Sequence, residues 1–92
     1  MITIGNLIMY SAHIERIQSW TSESLEQGTR DFCKTINVPI RDLAMGVRVV
    51  LTGKSKGLGL YDIMNIFGKE NTINRLNDGI AMILDRFLEK LQ

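Results

Sequence analysis

The chain has 92 residues, 45% of them hydrophobic and 23% charged, with a formal net charge of +1. That length suits one small domain with a thin core, because a chain of this size buries only about 60–65% of its unfolded surface. The near-zero balance excludes a globally basic nucleic-acid binder, and one cysteine (Cys33) with one histidine (His13) excludes an internal disulfide and a cysteine–histidine metal cluster.

Charge is nevertheless uneven. Arg41 to Lys56 holds four cations (Arg41, Arg48, Lys54, Lys56) and one anion, Asp42, whereas Glu15 to Asp31 is mainly acidic. Such a local patch can steer a polyanion. No apolar run approaches the roughly 18 residues of a membrane helix, so no membrane partner is expected. The cysteine usage fits a cytoplasmic protein. Residues 1–10, MITIGNLIMY, carry no charged side chain, and they lack the cationic leader and cleavage site of a signal peptide. They read as an inter-domain surface preceding a helical module over residues 11–92. In isolation such a segment is expected to be disordered, folded back, or buried in a dimer.

Four or five helices follow in chain order. Leu7, Ser11, Ile14 and Ile17 give a weak stripe ending near Ser19. Thr21 sits where an N-cap belongs, with Glu23 in the first turn behind it. Leu25, Thr29, Phe32, Cys33 and Ile36 continue that second helix, and Asn37 is its expected stop. Pro39 suits the first turn of a third helix, where its missing N–H costs nothing. Ile40, Leu43, Ala44, Val47, Val50 and Leu51 form that helix's apolar stripe, opposite Arg41, Met45, Arg48 and Thr52. The β-branched run VRVVL argues for a strand, but the three-turn periodicity favours a helix. Gly53 reads as a left-handed C-terminal residue. After a lysine-bearing loop to Gly59 comes a short helix from Leu60 to Phe67, broken by Gly68. The last helix begins near Lys69, with Ile73, Leu76, Ile80, Ile83, Leu84, Phe87, Leu88 and Leu91 on its stripe. Gly79 inside it costs about 1 kcal/mol against alanine.

The octet TGKSKGLG, Thr52 to Gly59, resembles two cofactor loops, and both fail. A P-loop needs glycine five residues before Gly53, where Arg48 stands. A dinucleotide turn of the short-chain dehydrogenase kind needs a strand ending in an acidic residue roughly 20 positions on. Asp78 has that spacing but lies in a helical pattern, and Asn65 replaces the lysine of a Tyr-x-x-x-Lys relay from Tyr61.

GVRVVLTGKSKGLGLYDIMNIFGKENTINRL, Gly46 to Leu76, closely resembles the C-terminal anticodon-binding region of bacterial-type glutamyl-tRNA synthetases. The matching pieces are Val47-Arg48-Val49-Val50-Leu51-Thr52-Gly53, Leu60-Tyr61-Asp62-Ile63, Phe67-Gly68-Lys69-Glu70 and Arg75-Leu76, with WTSESLE (Trp20 to Glu26) upstream. Their order and spacing carry the likeness from about Ile14 to Leu76. The resemblance implies an all-α cage of the class I synthetase anticodon-binding type. It implies tRNA as partner, through the anticodon loop of glutamate tRNA. It also implies catalytic and upstream anticodon-binding domains of a larger enzyme as neighbours. Arg48 would read a base edge or hold the RNA backbone, beside Arg41 on the same face. Lys54 and Lys56 would contact phosphates. Gly57 would admit backbone next to nucleotide, and Leu58 and Leu60 would pack on base faces. One departure stands in the loop: Gly57-Leu58 replaces the Ser/Thr-Pro of similar sequences. The ATP-handling motifs H-I-G-H and K-M-S-K-S are absent from these 92 residues. ATP and Mg are therefore expected of a parent enzyme, and no cofactor of this chain, which should not aminoacylate alone. The competing reading is a helical protein-interaction module that keeps the fold without binding RNA.

Overall fold

The computed structural model describes residues 2–54 and 56–91. Met1 and Gln92, which close the expected domain, and Ser55 of the Gly-Lys-Ser string lie outside the described residues. Those residues form five helices and no strand: α1 (Ile4–Glu15), α2 (Ser22–Ile36), α3 (Ile40–Thr52), α4 (Leu60–Phe67) and α5 (Lys69–Lys90). The all-α expectation holds, and α4 has the expected bounds.

Local chemistry sets the helix ends. Thr3 caps α1: its Oγ1 accepts from the Asn6 N–H at 3.1 Å, and Asn6 Oδ1 accepts from the Thr3 N–H at 3.0 Å. This reciprocal box satisfies two otherwise orphaned donors. It carries α1 across the boundary set between residues 10 and 11, so Leu7 and Tyr10 belong to the core. The far end also differs from expectation. The helix stops at Glu15, because the Arg16 and Ile17 N–H groups turn back onto the His13 and Ile14 carbonyls. Thr21 caps α2 through the Ser24 N–H at 3.2 Å, and Asn37 ends it in the left-handed conformation (φ 57°). Pro39 lies one residue outside α3, in an extended conformation (φ −59°, ψ 136°), instead of in its first turn.

Leu43, Val47 and Leu51 recur every four residues and are buried, which is why VRVVL is helical despite its β-branched composition. They join Tyr10, Ile14, Leu25, Met64 and Leu76 in one core. α1 and α5 run antiparallel. Ser11 Oγ donates to Asn77 Oδ1 at 2.6 Å, and Lys69 Nζ donates to the Ile17 carbonyl at 2.7 Å. Tyr10 packs edge-on to Phe32 with ring centres 5.5 Å apart. Its hydroxyl meets Thr29 Oγ1 at 2.8 Å, and Thr29 donates in turn to the Leu25 carbonyl at 2.7 Å. Burial pushes the Tyr10 phenol far above its ordinary pKa.

Glycine at position 79 has a tertiary cause. A Cβ there would lie 2.4 Å from Val50 Cγ1, so the weak helix former allows α3 and α5 to touch. At the start of α5, the Met64 carbonyl accepts from the Gly68 N–H (3.0 Å), Thr72 Oγ1 (3.2 Å) and Trp20 Nε1 (2.8 Å). Arg75 stacks over the Phe67 ring, 4.4 Å from its centre. Several residues of the synthetase-like pattern, among them Lys69 and Arg75, thus hold the fold together.

Candidate nucleic-acid interface

The exposed side of α3 and the loop behind it build one surface. Residues seven apart lie two turns apart on the same helix face, about 10 Å along the axis. Arg41 and Arg48 are so placed, with Met45 and Val49 between and beside them, both about half exposed. Gly53 ends α3 in the left-handed conformation (φ 73°), its N–H bonded to the Val49 carbonyl at 2.7 Å. A side chain is strained in that conformation, so glycine reverses the chain here at least cost.

Thr52 fastens the start of the loop. Its hydroxyl accepts from the Lys54 N–H at 3.1 Å, and has the Arg48 carbonyl at 2.9 Å or the Lys54 carbonyl at 3.1 Å to donate to. Arg48 fastens the other end, because its guanidinium donates to the Leu58 carbonyl. This commits one of the five donors of the fork to the loop itself. Between these two points Lys54, Lys56, Gly57 and Leu58 are all exposed. Leu58 is 63% exposed, a large apolar side chain held out on a short loop. Gly57 has φ 137°, a conformation closed to most side chains. Any residue with a Cβ is strained there.

Of the seven residues singled out in the sequence, six share this surface: Arg41, Arg48, Lys54, Lys56, Gly57 and Leu58. Leu60 does not. It is 4% exposed and packs in the core as the first residue of α4, so it has no free face for a base. The reason is registral: Leu60, Ile63 and Met64 are α4's inward positions, and all three are buried. Sequence reasoning missed Val49, which is 45% exposed. Its place on α3's stripe is taken by Val47 and Val50, and the spacing from Met45 would have shown it. Thr52's part in closing the loop was also missed, although a hydroxyl just before a C-terminal glycine is a signal for such a turn. Asp62 was passed over too. It sits in the first turn of α4, where a negative charge is favourable, and accepts from Ser22 Oγ at 3.0 Å.

A cleft of about 540 Å³ lies where α2 meets α3 and shares no residue with this surface. Among the described residues no group of three or more His, Cys, Asp or Glu is placed to hold a metal ion. The surface offers fixed cations, donors and small apolar faces. These suit the backbone and unstacked bases of a single-stranded loop.

Comparison with known proteins agrees with this chemistry. A family model described as an anticodon binding domain matches residues 5–80. The chain is 35% identical over 65 residues to a protein named glutamate–tRNA ligase 1 from Methylobacterium sp. (strain 4-46), an alignment covering 71% of this chain and 14% of that protein. It is 31% identical over 65 residues, with the same coverage of each chain, to the glutamate–tRNA ligase of Nitrobacter hamburgensis. It is 33% identical over 67 residues, covering 73% of this chain and 14% of the relative, to that of Nitrobacter winogradskyi. The aligned part thus amounts to about one seventh of the length of these curated relatives, 14% in each case. With the matched segment running from the first turn of α1 to the middle of α5, this chain belongs to the anticodon-binding domain family.

Proposed function

We propose that this chain reads the anticodon loop of glutamate tRNA as one module of a glutamate–tRNA ligase. The observation that carries the reading is the Arg48 guanidinium, seated at the root of an exposed loop that bears Lys54, Lys56 and Leu58. Arg48 meets a base edge or the RNA backbone, the lysines take phosphates, Leu58 packs on a base face, and Arg41 extends the cationic track along α3. The parent enzyme supplies the catalytic domain, with its ATP and Mg, and works in the cytoplasm. Its upstream domains cover the apolar end of α1, where Ile8 and Met9 are about half exposed. Separated from them, that end is a candidate surface for self-association.

The test is a binding titration of the full chain with a fluorescently labelled anticodon stem-loop of glutamate tRNA, beside an anticodon-swapped control, at fixed salt. The expected result is weak but salt-sensitive binding that favours the cognate loop. Arg48→Ala should cost about 1–3 kcal/mol and narrow that preference. A folded chain that binds neither RNA, or an Arg48→Ala variant unchanged in affinity and preference, would overturn the reading. The first outcome leaves a helical protein-interaction module in its place.

A further inference from the structure

α5 continues beyond the segment that the family model matches. The matched segment ends at residue 80, while α5 runs to Lys90. α3 stops at Gly53, so the added turns of α5 pass its end and leave a cleft of about 370 Å³ between them. Val49 and Gly53 form one wall, Met82, Ile83 and Arg86 the other, and Gly79 marks its closed end where the helices touch.

Two facts tie this cleft to the proposed interface. Val49 follows Arg48 directly on α3, and Gly53 is the first residue of the loop that carries Lys54, so cleft and loop share a wall. Met82 is 59% exposed and Val49 45%, and the exposed apolar side chains continue along α5 through Phe87 and Leu88. Charge completes the picture. No lining residue is acidic. Arg86 has no hydrogen bond or ion pair among the described residues, and in the chain Arg48 precedes and Lys54 follows the lining residues Val49 and Gly53. Apolar walls with a cation at one side match the flat face of an unstacked base and the phosphate that follows it. A guanidinium can serve either by pairing or by stacking. The volume, near the low end for small-molecule sites of roughly 300–1,000 Å³, suits a single nucleotide.

We propose that the α3–α5 cleft is a second nucleotide subsite, which receives an unstacked base of the RNA strand leaving the Gly53–Gly59 loop, with Arg86 on its phosphate. The inference rests on the anticodon-loop reading and extends it onto α5, to residues outside the matched segment. It makes Met82 and Arg86 determinants of affinity.

The same labelled stem-loop tests it, titrated with the full chain and with Arg48→Ala, Met82→Glu, Arg86→Gln and Arg86→Glu. Met82 and Arg86 are exposed, so these variants keep the core intact. Met82→Glu and Arg86→Glu are expected to weaken binding about tenfold. Arg86→Gln should lower the slope of log affinity against log salt by about 0.7. Abasic substitution along the RNA loop should find one position whose loss weakens binding by the wild-type chain but not by Met82→Glu, the mark of a base seated against that side chain. If Arg48→Ala weakens binding while the α5 variants match wild type, the anticodon reading stands and the subsite falls. If the wild-type chain does not bind the stem-loop, both fall. Should sedimentation show that the α5 variants break a dimer while RNA affinity is unchanged, the cleft seats a second copy and the inference is overturned.

Discussion

The Arg48 guanidinium donates to the carbonyl of Leu58, ten residues along the chain and on the far side of the glycine loop. A helix-borne cation thus braces the segment that it would present to RNA. Without that bond Thr52 still fastens the near end of the loop. Arg48→Ala is expected to lower the backbone order parameters of residues 56–58, because it removes a bond to the Leu58 carbonyl. The melting temperature should stay nearly unchanged, because the contact lies outside the core. Arg48→Lys keeps the charge but not the planar fork and should fall between. NMR relaxation with and without the substitution decides this; equal order in the loop of both would show that Arg48 does not brace it.

Lys54 and Lys56 have no ion pair among the described residues, and both are exposed. Contacts of this kind follow ionic strength more than sequence. Each alanine substitution is expected to lower the salt slope of RNA binding by about 0.7 and to leave the cognate-to-swapped ratio unchanged. A variant that alters the ratio and spares the slope would make that lysine a reader of bases.

Gly79→Ala sets helix propensity against packing. Alanine gains about 1 kcal/mol as a helix former. Its Cβ would lie 2.4 Å from Val50 Cγ1, and a β-branched side chain on a helix has no alternative rotamer to retreat into. The net expectation is a loss of about 1–3 kcal/mol. Adding Val50→Ala should recover much of it, though the cleft floor would deepen. Denaturant unfolding of the two single variants and the double variant checks the pair, and purely additive losses would show that the two residues do not meet.

Gly79 also marks what the sequence could and could not say. Read along the chain, it is a defect in α5; only the approach of α3 explains it. Signals contained within one turn were legible: Thr21, Asn37 and Gly53 each announced their cap, and Ile40 to Leu51 announced α3 against its own β propensity. The Thr3–Asn6 box was equally local and went unread, because an uncharged segment drew attention to its composition instead. Tyr10 fits the helical spacing of Leu7, Ser11 and Ile14 and was passed over; the partner of its hydroxyl, nineteen residues away, leaves no local signal. At the interface, charge type revealed Arg48 and the lysines. Leu60 was given a base face by likeness alone, although its spacing with Ile63 and Met64 already put it on the buried stripe of α4.

The Tyr10–Thr29 pair separates two kinds of loss. Tyr10→Phe leaves Thr29 still donating to the Leu25 carbonyl, so about 1 kcal/mol is expected. Thr29→Val leaves the phenol buried beside only the Met64 sulfur at 4.0 Å, and about 1–3 kcal/mol follows. pH carries a third signature. Because burial raises the folded-state pKa of Tyr10 above its unfolded value near 10, its contribution is full below about pH 10 and is lost as pH rises beyond that. Tyr10→Phe should flatten part of the alkaline decline in unfolding free energy. Some decline remains through Tyr61, whose phenol is also raised, mainly by burial. An unchanged alkaline slope in Tyr10→Phe would contradict the assignment.

Trp20 is the chain's single tryptophan, and its indole N–H is held by the Met64 carbonyl. Met64 lies in the second turn of α4, whose first residue follows the glycine loop directly. Intrinsic emission from this protein therefore reports the junction of α2, α4 and α5 and not the RNA-facing loop. Its wavelength should shift to the red when the junction comes apart and stay fixed when an oligonucleotide docks. One cuvette can then hold two independent signals, a labelled RNA for occupancy and the native indole for integrity.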